Sequence, residues 1–423
     1  MTGAIQRSRS RGVANMSEQS GSVGVGLTGK PVIGFRNRSL LRAMLVALTT
    51  AGLTPSGAHA ENIINIGVPL SMSGKGADYG GLSATAAKMA EEEINKSNGV
   101  RGTKIKVVIA DTGGDNQQAV NLTRRFASQE NAIAAVGYIF SGEVEQAFPV
   151  ANALKFVVVS NSSSKPGIME RLRPWGFRNT GTEEKLQEAA IAAWKQRYGI
   201  KRVAIVADLR DAYAKDLGLK VFPALLKSSN IEIVNGDSPI TYNLGDVDFT
   251  AQATRLKSMS FDGVSIGGQY TEGALFIKEM RRLGIKAPVI GGVGFLAREF
   301  LEIGRNDVNG TMVGTTFWSE KPDPKLQAFV TEFGRRMKGD KPDYRAAAMY
   351  DTLLMMRDIM VKKGITGDPS KLQAEREALR QGLDEMSSYQ GIMGETKFDK
   401  LGDGIKEVYT LEARDGQFVR YAK

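Results

Sequence analysis

The chain has 423 residues, with 56 Lys and Arg against 46 Asp and Glu, one histidine and no cysteine. Without cysteine there is no disulfide, no thiolate nucleophile and no Cys-based zinc or iron–sulfur site, and a lone His59 cannot build a two- or three-histidine metal site. The net charge of +10 invites a polyanion reading, so the place where that charge sits decides its meaning.

Residues 1–35 are rich in Gly, Ser and Arg, with little apolar periodicity. Arg36, Arg38 and Arg42 then lead into the apolar run AMLVALTTAGLTPSGAHA. Ala58-His59-Ala60 has the small-x-small form a signal peptidase requires, so the pattern predicts a secretory signal cleaved after Ala60. A transmembrane anchor is the competing reading, but the stretch is too short and too diluted by Thr, Gly and Pro. Without residues 1–60 the chain keeps 363 residues, 49 basic and 45 acidic, and no histidine. A net +4 implies no nucleic-acid partner, and His-based triads are excluded. Carboxylates, Tyr, Lys and Ser remain, so an enzyme is disfavoured rather than forbidden. GVGLTG at 24–29 satisfies G-x-G-x-x-G, but no strand precedes it and Pro31 follows, which makes it a chance match.

From residue 63 the sequence alternates strand-like and helix-like segments. INIGVPL (64–70), KIKVVIADT (104–112), AIAAVGY (132–138) and FVVVSNS (156–162) predict buried strands, with helices over 83–96, 117–128 and 144–153 between them. After WGFRNTG (175–181) a helix runs through Tyr198. The rhythm resumes with strand 202–208, helix 213–228, strand 231–234, helix 249–258, strand 262–268 and helix 271–283. PVIGGVG (288–294) and GTMVGTTF (310–317) close that half. Continuous Val/Ile runs between amphipathic helices predict an α/β fold of parallel sheets covered on both faces, and about ten βα units are too many for one open sheet. Two doubly wound parallel-sheet lobes follow.

Such sheets bind ligands beyond the carboxyl ends of their strands. Those ends here carry small polar residues: Ser71-Met72-Ser73-Gly74, Tyr138-Ile139-Phe140-Ser141-Gly142 and Ser160-Asn161-Ser162-Ser163-Ser164. Serine hydroxyls beside free N–H groups at helix starts form a carboxylate receptor, although each serine alone reads equally well as a helix cap.

Four segments in order, IGVPLSMSGKGADYGG (66–81), GVRGTKIKVVIADTGGDNQQAV (99–120), GDVDFTAQATRLK (245–257) and YQGIMGETKFDKLGDGIKEVYTLEARDGQFV (389–419), carry a resemblance. Over residues 63–421 the chain resembles the periplasmic solute-binding proteins of ABC transporters, of the branched-chain amino-acid (Leu/Ile/Val) type. The resemblance implies a type I periplasmic binding fold, with two lobes joined by a three-strand hinge and closing on one ligand. It places residues 61–182 plus 316–390 in lobe 1 and 183–315 plus 391–423 in lobe 2. It also implies a periplasmic location, a membrane ABC permease as partner, a monomer, no cofactor, no metal and no catalysis.

By position, the resemblance implies that Ser141, Ser162 and Ser164 hold a ligand carboxylate and that Tyr79 flanks its side chain. Glu183, Tyr213 and Gln269 match positions that close over it from the second lobe. Amino-acid binders of the family place an acid after the PVIGG strand for the α-ammonium group, whereas this chain has Val293 there. A buried ammonium without a counter-charge is costly. The ligand expected is therefore a small carboxylate, aromatic or keto acid, with a branched-chain or other amino acid as the competing reading if Glu183 or Glu184 replaces the missing acid. Tyr79, Tyr138, Tyr213 and Trp318 are the aromatics near predicted strand ends. A sensor of the same fold reporting to a membrane receptor is the alternative function.

Other patterns read as structure. The Met-rich stretch 349–360 reads as core filling, Trp194 as packing inward, and the charged stretch 371–386 as a solvated surface helix. Asp111, Asp115 and Asp211 lack the spacing of a calcium loop.

Overall fold

A computed structural model describes residues 62–421 of the chain. The expected signal segment with its cleavage site after Ala60, the 24–29 glycine pattern and His59 lie outside the described residues.

Valine- and isoleucine-rich runs form the first sheet: β1 (Ile63–Leu70), β2 (Lys104–Asp111), β3 (Ala134–Gly137), β4 (Val157–Ser160) and β5 (Gly176–Arg178). They lie in the order β2-β1-β3-β4-β5, all parallel. The second sheet contains β6 (Arg202–Asp208), β7 (Glu232–Ile233), β8 (Ile240–Tyr242), β9 (Gly263–Gly267), β10 (Val289–Gly291) and β11 (Met312–Thr315). β7 and β8 share one edge of β6, and Asn235 bridges between them. Its side chain accepts from the Ile205 N–H at 2.8 Å and donates to the Ile205 carbonyl at 2.9 Å, supplying the ladder bonds a continuous strand would have made.

The C-terminal segment adds what periodicity does not suggest. β12 (Tyr389–Gly391), β13 (Gly394–Phe398) and β14 (Gly404–Ile405) form a small antiparallel sheet. β15 (Tyr409–Arg414) and β16 (Gln417–Arg420) form a hairpin that extends the second sheet antiparallel beside β11, giving β16-β15-β11-β10-β9-β6-β7. The fold is α/β with two wound parallel sheets, the second carrying an antiparallel edge.

Several helix limits differ from the sequence expectation. The first helix is Ala77–Lys96, six residues earlier than predicted, because Gly80 sits where a Cβ would lie 1.9 Å from the Ser71 carbonyl oxygen. The third is Ser141–Ala153, so Ser141 opens it rather than standing ahead of it. The expected helix over 213–228 is interrupted by a π turn at Leu217–Val221, where Gly218 packs on Ala207.

The helix Tyr344–Lys363 lies across the first helix and is buried along most of its length, with Met349, Met355, Met356 and Met360 fully covered. Trp194 is fully buried as expected. The charged stretch 371–386 is not simply a solvated face. Within the helix Leu372–Asp384, Arg376 is buried and donates to the carbonyls of Ala127 and Ala132, while Glu375 accepts from Thr366 and Gly367.

Each sheet changes winding direction at one point, between β1 and β3 in the first and between β6 and β9 in the second. Crevices outside strand ends open at such points, and here residues following both switch points meet.

Candidate ligand-binding cleft

The cleft is narrow and is lined by Tyr79, Ile139, Phe140, Ser141, Ser162, Ser163, Ser164, Tyr213, Gln269, Val293, Gly294, Tyr344 and Arg345. Seven of the eight residues expected from sequence are thus brought together. The eighth, Glu183, lies behind the wall.

The serine side is built by a turn at the end of β3. Gly137 has φ of 157°, and a Cβ there would lie 2.2 Å from the Pro69 carbonyl oxygen, so the chain can turn only with glycine. Tyr138 follows with φ of 61°. The turn delivers Phe140 and Ser141 to the start of the helix Ser141–Ala153. Ser160, at the end of β4, donates to the Tyr138 carbonyl at 3.1 Å and accepts from the N–H groups of Ser162 at 3.3 Å and Ser163 at 2.9 Å. The hydroxyls of Ser141 and Ser163 stand 2.9 Å apart. Arg178 anchors the same loop from beneath. Its guanidinium donates to the carbonyls of Lys165 at 2.7 Å and Ser163 at 3.3 Å, and it pairs with Asp403 at 2.5 Å. One segment of the C-terminal resemblance thereby acquires a physical task.

The opposite side comes from the second sheet. The 293–296 turn after β10 presents Val293 and Gly294. The Tyr213 hydroxyl accepts from the Gly294 N–H at 2.9 Å, and Gln269 donates to Asp211 at 3.2 Å. Glu183 begins the helix Glu183–Tyr198, fully buried. Its carboxylate accepts from Ser164 at 3.2 Å, Gln187 at 2.7 Å and the Val293 N–H at 3.2 Å, and it also bonds the Tyr213 hydroxyl. Burial raises its pKa above the ordinary carboxylate range, against those hydrogen bonds. Burial and the neighbouring Glu183 likewise hold Tyr213 well above the usual phenol value.

The two sides touch across the cleft. Tyr79 donates to the Gly294 carbonyl at 2.6 Å, and the Tyr270 hydroxyl donates to Asp78 at 3.1 Å. Lys75 stands 3.7 Å from Asp211 and 4.0 Å from the centre of the Phe140 ring.

Sequence reasoning missed Tyr344 and Arg345. Asp343 caps the helix Tyr344–Lys363 by accepting from the N–H groups of Arg345 and Ala346. The Tyr344 hydroxyl donates to the Ser162 carbonyl at 3.2 Å. The Arg345 side chain is 3% exposed and lies 3.5 Å over the centre of the Tyr79 ring. A signal was present: a cation in the first turn of a helix runs against the helix dipole, and this one interrupts an otherwise Ala/Met-rich stretch. Burial presses the Arg345 pKa down, but Tyr344, Tyr79 and Asp343 together carry it above its ordinary value.

Two aromatics expected near the ligand are elsewhere. Tyr138 points into the core, its hydroxyl 2.7 Å from that of Thr123 and its ring against Phe148, because the positive-φ turn reverses its direction. Trp318 packs on Tyr409 and Arg420 beside a separate opening. Asp111 and Asp115 are engaged with backbone N–H groups, and no metal-type cluster of three acidic or histidine side chains occurs among the described residues.

A family profile described as periplasmic binding protein matches residues 63–417. The chain belongs to that family. It is 31% identical over 380 residues to a Leu/Ile/Val-binding protein of Rhizobium johnstonii, covering 88% of this chain and 96% of the relative. A leucine-binding protein from Thermotoga maritima superposes with a TM-score of 0.76 at 25% identity, covering 85% of this chain and 98% of that one. A solute-binding protein from Rhodopseudomonas palustris, solved with 3,4-dihydroxybenzoic acid, superposes with a TM-score of 0.74 at 20% identity over 86% of this chain and 97% of that one, which is a likeness of fold. The protein is accordingly the substrate-binding protein of an ABC transporter, with the type I periplasmic binding fold, and not an enzyme. Its family delivers small molecules to ABC permeases from the periplasm, and no helix among the described residues is long and apolar enough to cross a membrane.

Proposed function

We propose that this cleft captures a small carboxylate-bearing molecule, an aromatic or keto acid or a branched-chain or other amino acid, and that closure of two lobes presents the loaded form to a membrane permease. The lobes are residues 61–182 with 316–390 and residues 183–315 with 391–423. The chain works as a monomer in the periplasm after cleavage behind Ala60. One observation carries the reading: Ser141, Ser162 and Ser164, with Ser163 whose hydroxyl stands 2.9 Å from that of Ser141, line one cleft at the first turn of the helix Ser141–Ala153, and the one charged side chain in that lining is a cation. Hydroxyls and unpaired N–H groups at a helix start stabilise an anion.

Tyr79 from one side and Gln269 and Tyr213 from the other enclose the remainder of the ligand. A ligand that favours the closed arrangement shifts the population toward it, on the μs–ms scale of domain motions. Glu183 acts from behind by fixing Tyr213, Ser164 and the Val293 turn.

Thermal unfolding in the presence of benzoate, 4-methyl-2-oxopentanoate and leucine, each beside its amide, tests the reading. A bound acid at about 100 times its Kd adds about 2.7 kcal/mol to stability, and its amide adds far less. Amides that stabilise as well as their acids would overturn carboxylate recognition.

A further inference from the structure

The side chain of Arg345 has features that carboxylate capture alone does not require. It is 3% exposed, yet it lines the cleft, and its Nε is buried without a hydrogen-bond partner. One terminal nitrogen pairs with Asp343 at 2.6 Å and donates to the Leu296 carbonyl at 3.1 Å, and the other donates to the Val293 carbonyl at 3.1 Å. The guanidinium carbon lies 3.5 Å from the centre of the Tyr79 ring and 4.4 Å from that of Tyr344. It is therefore a rigid cation that stays charged at every relevant pH.

That placement has two consequences. The carbonyls of Val293 and Leu296, which could have accepted hydrogen bonds from a ligand's ammonium group, are already occupied by the protein's own cation. The carboxylates beside them are engaged as well: Glu183 by Ser164, Gln187, Tyr213 and the Val293 N–H, and Asp343 by Arg345 itself and by the N–H groups of Arg345 and Ala346, and neither is part of the lining. An ammonium in this cleft would meet the Arg345 guanidinium at short range, in surroundings that screen it poorly, and would have to compete with that guanidinium for the Asp343 carboxylate.

We propose that Arg345 is a specificity-determining residue that makes the cleft select organic acids lacking an α-ammonium group. This rests on the carboxylate reading above and narrows it. The cation also attracts the ligand's negative charge. Because the same guanidinium joins Tyr344 and Tyr79 to the 293–296 turn, selection and closure share one side chain.

The test is isothermal titration of the full chain with 4-methyl-2-oxopentanoate against leucine and phenylpyruvate against phenylalanine, repeated on Arg345→Gln and Arg345→Lys. The expected result is a preference of roughly 100-fold for each oxo acid over its amino acid, the scale of a like-charge contact at several ångströms in a weakly screened site. Arg345→Gln narrows that ratio to within a few-fold, and Arg345→Lys, which keeps the charge, keeps its sign. The Lys variant also serves as the control for folding. A wild-type chain that prefers the amino acids, or an Arg345→Gln chain with an unchanged ratio, overturns the inference and leaves carboxylate capture standing. A wild-type chain that binds no acid of the set overturns the carboxylate reading and this inference with it.

Discussion

Replacing Glu143 with glutamine should alter the pH dependence of stability in a defined window. Glu143 is the third residue of the helix that opens with Ser141, it is fully buried, and its carboxylate accepts from the Phe140 N–H at 2.9 Å. Burial raises its pKa from 4.5 to about 7, against hydrogen bonds from Thr112, Phe140 and Ile139 and the attraction of Lys75. In the unfolded chain the group returns to the ordinary value. Between pH 4.5 and about 7 the folded protein keeps a proton that the unfolded chain has lost, so stability falls as pH rises through that window and is level above it. At about 1.4 kcal/mol per pH unit, the full span is roughly 3 kcal/mol. Glu143→Gln removes the titration while a side-chain carbonyl can still accept from Phe140 N–H. Urea unfolding followed by circular dichroism at a series of pH values measures the difference. The free-energy gap between the glutamine variant and the wild type should move by roughly 3 kcal/mol in favour of glutamine from about pH 4.5 to about pH 7.5, then stay constant. A gap that is flat over the window, or moves the other way, would refute the argument that burial governs this carboxylate.

Three other outcomes follow from the cleft. Ser141→Ala with Ser162→Ala should weaken binding of a stabilising acid by about ten- to a hundred-fold, at about 1 kcal/mol per lost hydrogen bond, with little change in unfolding midpoint; titration calorimetry reads both the loss and the stoichiometry. A Cβ on Gly294 would lie 2.6 Å from the Gly268 carbonyl oxygen and 2.9 Å from Gln269 in its own lobe, so Gly294→Ala should displace the 293–296 turn that lines the cleft and weaken binding of a stabilising acid by about ten-fold or more, which titration calorimetry reads as a raised Kd; unchanged binding would contradict it. Arg178→Met leaves Asp403 buried without its partner and releases the Ser163 and Lys165 carbonyls, which should cost about 3–5 kcal/mol in chemical unfolding and weaken ligand binding as the serine loop loosens.

The parallel-sheet strands were readable because burial on both faces demands short runs of apolar and small residues, and β3, β4 and the centre of β6 have them. The serine cradle was readable for a related reason: small polar residues at the end of such a run have no role in the sheet itself. Glycine misled at the first helix, where Gly80 and Gly81 suggest a turn but Gly80 lets the helix approach Ser71. The C-terminal hairpin was missed although Asp415-Gly416, with φ of 49° and 75°, is a turn signal, since β15 and β16 lack the continuous apolar runs of a central strand. Arg345 was not assigned to the cleft because its helix is about 200 residues from the serines in sequence and reaches them only through packing on the first helix. Tyr138 shows the converse: its position beside the strand end was legible, but the direction of its side chain depends on a backbone turn that composition does not reveal.

The most direct test of the account is a crystal structure of the chain with an acid that raises its melting temperature. The account predicts the ligand carboxylate within about 3 Å of the Ser141 or Ser162 hydroxyl, at the start of the helix Ser141–Ala153, with Tyr79 beside the rest of the molecule. A carboxylate facing Tyr213 and Gln269, or a ligand lodged outside this cleft, would contradict it.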